Sequence, residues 1–240
     1  MRVIIAGGGT GGLATALALR KVGIDPLVLE RAPAFSAIGA GLGLQVNAMK
    51  ALTYIGGDAH WRQTCARIDV AEQRGLADDQ LISASTYDAQ VRKYGEHYYC
   101  GHRADLLASL LGPLPAECVR TGSRVVGLEE TPLDVRVQLD TGEEFSGDLL
   151  VGADGLRSQV RTLLFGEQEA RFTGVVVWRG LNAACQSARA VLREDHHLAR
   201  PATSRAAVPA AAPGASGQRV QPECFRAGRR GAPRILDCLG

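Results

Sequence analysis

The chain has 240 residues, enough for one large domain or two small ones with a sizeable core. Its formal net charge is only +2, so the composition carries no nucleic-acid footprint. The charge is uneven: residues 1–182 carry 18 Lys+Arg against 21 Asp+Glu, and 183–240 carry nine Arg against four acids. No apolar run approaches the ~18 residues of a membrane span, and "VIIA" after Arg2 lacks the features of a secretory signal. The six cysteines contain no C-x-x-C pair, so zinc and thioredoxin-type readings are weak and no metal is expected. Reduced thiols in a soluble, cytoplasmic protein are the expectation.

"RVIIA" (2–6) is a short β-branched run that suits a buried parallel strand. "GGGTGG" (7–12) follows, then "LATALALRKVG" (13–23) with apolar residues at helical spacing, and "LVLE" (27–30) as a second strand. The order predicts a βαβ unit. Gly7, Gly9 and Gly12 fit G-x-G-x-x-G: one permits the turn, one admits a pyrophosphate, one lets helix and strand close up. The helix N-terminus favours the anion. Glu30 ends the second strand, placed to accept hydrogen bonds from an adenosine ribose and to repel a 2′-phosphate. These residues alone leave NAD and FAD both open.

Farther on, "GAGLGL" (39–44) offers Gly39, Gly41 and Gly43 for close backbone approach to a flat ring. A helix is predicted from about Asn47, capped by that residue, with Ala48, Ala51, Leu52 and Ile55 as its apolar face. Residues 66–100 read as short strands of a small sheet. His97, Tyr98, Tyr99 and His102 precede a helix starting near Arg103; such residues are more often satisfied side chains than acid–base groups. Residues 117–130 and 133–155 read as a β-meander ending in a buried strand, "DLLVGAD". Asp154 can cap the short helix carrying "RSQVR", and Gly155 opens the backbone there.

Three motifs, "GGGTGG" with "LERAPAF", "GHRADLLASL" and "GADGLRSQVR", together resemble the class A flavoprotein monooxygenases, the para-hydroxybenzoate hydroxylase-like enzymes. The resemblance runs through residues 2–182. It implies an α/β fold: a Rossmann-like FAD-binding domain of parallel sheet and β-meander over 1–70 and 98–172, and part of a β-sheet substrate domain over 71–97 and 173–182. An atypical, irregular tail is expected over 183–240. It also implies that Gly7, Gly9, Thr10, Gly11 and Gly12 hold the FAD pyrophosphate. Glu30 and Arg31 would hold the ribose end, Arg103 would reach the flavin, Val125 would meet the adenine region, and Asp154 and Gly155 would support the dinucleotide. The implied activity is hydroxylation of a small aromatic substrate with NADH or NADPH and O₂, through a flavin C4a-hydroperoxide. No catalytic base is assigned: some members of the family carry a His two residues after G-A-G, and Gly43 stands there. Another FAD oxidoreductase, or an inactive nucleotide-binding fragment, are the alternatives.

After Asn182 the pattern changes. Ala, Arg, Pro, Gly and Ser make up 36 of the remaining 58 residues, and the family's second flavin motif, G-D-x-x-H-x-x-x-P, is not found. Such a composition is what a GC-rich gene yields out of frame, so a frameshift near Asn182 is expected, against a natural low-complexity tail.

Overall fold

The computed structural model describes residues 1–35, 41–75, 80–172 and 204–207. In chain order the elements are β1 Arg2–Ala6, α1 Thr10–Lys21, β2 Asp25–Leu29, β3 Gly41–Leu44, α2 Val46–Tyr54, α3 Asp58–Thr64, β4 Ala66–Ile68, β5 Val70–Gly75 and β6 Leu81–Thr86. There follow α4 Asp88–Tyr94, β7 Tyr98–His102, α5 Arg103–Leu111, β8 Val119–Arg120, β9 Val125–Glu130, β10 Val135–Leu139, β11 Glu144–Gly147, β12 Leu149–Gly152, α6 Gln159–Phe165 and β13 Ser204–Ala207.

A parallel sheet in the order β12-β1-β2-β8 forms the centre. Alternation along β1 and β2 splits their side chains between two cores. Val3, Ile5 and Val28 face the helices, packing with Leu13 and Leu17 of α1, Met49 and Leu52 of α2, Trp61 of α3 and Leu106, Leu107 and Leu110 of α5. Ile4, Ala6, Leu27 and Leu29 face the other way, onto Val125, Val137 and Leu139 of the antiparallel meander β11-β10-β9. Helices, parallel sheet and meander thus form three layers, and the predicted α/β arrangement is the one observed. Pro26 is tolerated in β2 because β8 pairs only with Val28 and Leu29, farther along the strand.

The predicted helix start at Asn47 is off by a residue. α2 begins at Val46, its N-cap is Gln45 with no side-chain bond, and Asn47 is exposed inside the first turn. The buried stripe is Val46, Met49 and Leu52; Ala51 is exposed, because the larger side chains one turn-phase away fill the core better. Within the stretch predicted as strands, 66–100, β4, β5 and β6 appear, but Asp88–Tyr94 is helix. None of its residues is buried, so no apolar stripe marked it in the sequence.

β5 and β6 pair with β13 in a sheet of their own, in the order β13-β5-β6. Within the stretch expected to be irregular, residues 204–207 are therefore strand. Gly39, the substrate-domain segment expected over 173–182 and the remainder of 183–240 lie outside the described residues. Among the described residues no helix is long and apolar enough to cross a membrane.

Candidate functional site

The glycine loop joins the ends of three strands. The Gly7 N–H donates to Leu29 O at the end of β2 (2.8 Å), and the Ala153 N–H, just past β12, donates to Ala6 O at the end of β1 (2.8 Å). Gly7 has φ +107°, and a Cβ there would lie 2.4 Å from Ala153 O and 2.8 Å from Asp154 Cα. A Cβ on Gly12 would lie 1.9 Å from Gly7 O. Two of the glycines therefore serve backbone packing, and the first brings the loop against the D-G segment. Gly9 and Gly11 differ, since nothing lies within 4 Å of a Cβ on either.

Gly9 is the N-cap of α1, and neither a capping side chain nor an acid occupies the first turn. The amides of that turn are left for an anion beside the positive end of a 12-residue helix. Open space over Gly9 and Gly11, with uncapped amides, fits a dinucleotide pyrophosphate.

Glu30 fixes the far side of the loop. Its Oε2 accepts from Gly8 N at 2.6 Å and its Oε1 from Ala32 N at 2.8 Å. The sequence offered it only as a ribose acceptor; the carboxylate also braces the glycine loop. An ionised carboxylate has about four acceptor positions, so these two bonds leave capacity for ribose hydroxyls. Its backbone is held as well: Glu30 N donates to Arg120 O and Ser123 N donates to Glu30 O, both at 2.8 Å. That ties β2 to the segment leading into Val125, which is buried at the start of β9. Arg31 is exposed beside it.

The D-G segment closes the third side. Asp154 Oδ2 accepts from Gln159 N at 2.6 Å and Val160 N at 3.1 Å, while Ser158 Oγ donates to Asp154 Oδ1. Ser158 is the N-cap of α6 and accepts from Arg161 N at 3.0 Å. Asp154 thus joins in capping as predicted, sharing the task with Ser158. Gly155 has φ +83° and open space around it.

Arg103 is half-buried as the first residue of α5. Its neighbour His102 is the N-cap, with Nδ1 accepting from Ala104 N at 3.2 Å. Tyr99 Oη accepts from Arg62 at 3.4 Å. Both are satisfied side chains, the bland alternative weighed above. Burial pushes the Cys65 thiol up to about 12, which keeps it protonated and inert. A group the sequence did not flag is Arg62, which bonds Asp58 and Glu96 with both carboxylates close by (2.7 and 2.5 Å) and also Thr53 Oγ1. It locks α2 and α3 to the approach of β7. Its partners are up to 37 residues away, beyond the reach of any local pattern.

A family model described as "FAD binding domain" matches residues 1–221. The chain belongs to this FAD-binding domain family. Among relatives of the domain, aurachin C monooxygenase/isomerase of Stigmatella aurantiaca is 36% identical over 81% of this chain and 50% of its own length. The 3-hydroxybenzoate 6-hydroxylase of Klebsiella oxytoca is 37% identical over 75% of this chain and 46% of its own. Among solved structures, Klebsiella pneumoniae HpxO complexed with FAD and uric acid superposes with a TM-score of 0.63 at 27% identity, covering 68% of this chain and 41% of that one. The 2,6-dihydroxypyridine-3-hydroxylase of Arthrobacter nicotinovorans also gives 0.63, at 25% identity, covering 76% and 44%. The resemblance to class A flavoprotein monooxygenases therefore holds, and FAD is the cofactor of the domain. The chain spans about half the length of the curated relatives it matches.

Proposed function

We propose that this chain supplies the FAD-binding part of a monooxygenase that hydroxylates a small aromatic substrate with NADH or NADPH and O₂. The observation that carries the reading is the packing of Gly7 on Ala153–Asp154, which joins the glycine loop and the D-G motif in one cradle. A plain dinucleotide fold needs the first motif alone; the second favours this class over other FAD oxidoreductases.

Bound FAD supplies the redox chemistry, accepting electrons from the nicotinamide and activating O₂. This chain's residues bind and orient it. The α1 amides from Thr10 to Gly12 would take the pyrophosphate, with Gly9 and Gly11 leaving it room. Glu30 would accept from the ribose hydroxyls, with exposed Arg31 beside it and Val125 near the adenine. Arg103 would reach the flavin side, and Asp154 and Gly155 would hold the backbone against the dinucleotide. The sheet of β5 and β6 belongs, in this reading, to a substrate domain spanning 71–97 and 173–182, and the protein works in the cytoplasm.

Substrates named for the relatives, 3-hydroxybenzoate and 6-hydroxynicotinate, make suitable probes. The FAD-loaded chain is mixed with NADH or NADPH and each probe, and oxygen uptake, hydrogen peroxide and products are followed. A ring product carrying one added oxygen supports the reading. Peroxide formation without product would point to another FAD oxidoreductase activity, and no oxygen uptake to an inactive nucleotide-binding fragment.

A further inference from the structure

Residue 8 is an open position of the glycine motif, since G-x-G-x-x-G makes no demand there. Its backbone makes none either, because Gly8 is not among the glycines with positive φ. The demand comes from space. Gly8 is buried. A Cβ built on it would lie 2.9 Å from Glu30 Cβ and 3.0 Å from both Cε1 and Cζ of Phe35. The Phe35 ring thus stands beside the Glu30 side chain, in the place that a side chain at 8 would use.

The chain returns to the glycine loop through the bends of residues 31–34. Ala32 fixes that path: its N–H donates to Glu30 Oε1 at 2.8 Å, and its carbonyl accepts from Gly122 N at 2.8 Å. Phe35 is half-buried and packs against the helix-side core, so its ring has a firm seat. Glu30 is half-buried too, and its other oxygen accepts from Gly8 N at 2.6 Å. A free glutamate side chain samples several rotamers. Here the space beside Gly8 is taken, so the carboxylate is kept on its two amides. A carboxylate held in this way loses less freedom when a ligand arrives, which raises affinity without adding a contact.

We propose that Phe35 is a positioning residue for FAD: its ring fills the space beside Gly8 and confines Glu30 to the rotamer that receives the adenosine ribose. The assignment rests on the reading of Glu30 as the ribose acceptor. It also accounts for glycine at residue 8, where the motif itself would accept a side chain.

The test titrates the full 240-residue chain with FAD and with FAD lacking the 2′-hydroxyl of its adenosine ribose, following flavin fluorescence. The parent is expected to favour FAD by about tenfold, the worth of a hydrogen bond to a charged group. Phe35→Ala, which frees Glu30 to turn, is expected to reduce that preference to about twofold or less. Phe35→Leu, which keeps most of the bulk, is expected to retain it. Urea melts report whether each variant folds, and Phe35→Val stands in if Phe35→Ala does not. A preference equal to the parent's in the folded truncation overturns the assignment, even where both flavins weaken together, since that marks packing alone. A parent that binds both flavins equally removes the ribose role of Glu30 and the assignment with it, while the FAD cradle stands. A parent that binds neither removes the cradle as well.

Discussion

Gly7, Gly9 and Gly12 share a motif but divide its work. Gly12 faces the backbone of Gly7 and Gly9 faces open space, so their alanine variants separate folding from cofactor binding. Gly12→Ala meets a carbonyl that cannot rotate away, and is expected to lower the unfolding free energy by about 3 kcal/mol in urea titrations. Gly9→Ala at the N-cap of α1 is expected to lower it by only about 0.5–1 kcal/mol and to weaken FAD about tenfold by fluorescence titration. The spacing of the glycines made the loop readable from sequence. The second role of Glu30 was not readable, because the amide of Gly8 reaches it only once β1 and β2 lie side by side.

Charge adds a second residue-scale expectation. The Arg62 guanidinium bonded to Glu96 holds that carboxyl below its usual range. For Asp58, burial pushes upward, but bonds from Arg62 and Thr53 outweigh it and the net shift is downward. A depressed folded pKa stabilises above the ordinary carboxylate range, near pH 4, and that stabilisation is lost as pH falls through the lowered value. Arg62→Met is therefore expected to cost about 2 kcal/mol at pH 7. The gap from the parent should close on acidification below pH 4, as read by urea melts at each pH. A gap that is constant with pH would show that Arg62 acts by packing alone.

At the scale of elements, α6 shows how a short helix is held in place. It has seven residues and buries only Val160, so packing contributes little and its cap matters more. Ser158 and Asp154 between them accept from Gln159, Val160 and Arg161. Ser158→Ala is expected to cost about 1 kcal/mol, measured by chemical denaturation. Asp154 was legible as a cap because an acid preceding a helix suits the free amides there. Its partnership with Ser158, four residues on, was not read from the sequence and came from the structure. The helix α4 was not legible, since it has no buried face, and α2 was displaced by one residue because Ala48 and Ala51 imitate an apolar stripe that Val46, Met49 and Leu52 occupy.

Taken whole, the molecule is a parallel sheet whose alternate residues serve two cores, with the cradle where β1, β2 and β12 end together. β1 was legible because Val3, Ile4 and Ile5 form an unbroken apolar run, the mark of a strand buried on both faces. The pairing of β12 with β1 was not, because 146 residues of chain separate Val151 from its partner Ile5 and no local pattern reports the register. Leu149, Leu163, Leu164 and Phe165 are all exposed on β12 and α6, an apolar region that the described residues do not cover. The central claim is that the cradle of Gly7–Gly12, Glu30 and Asp154 holds FAD in this chain. The direct measurement is the visible spectrum of the purified 240-residue chain after loading with FAD, followed by denaturation and identification of what is released. A yellow protein releasing one FAD per chain is the expected result; a folded, colourless chain that releases none would contradict the claim.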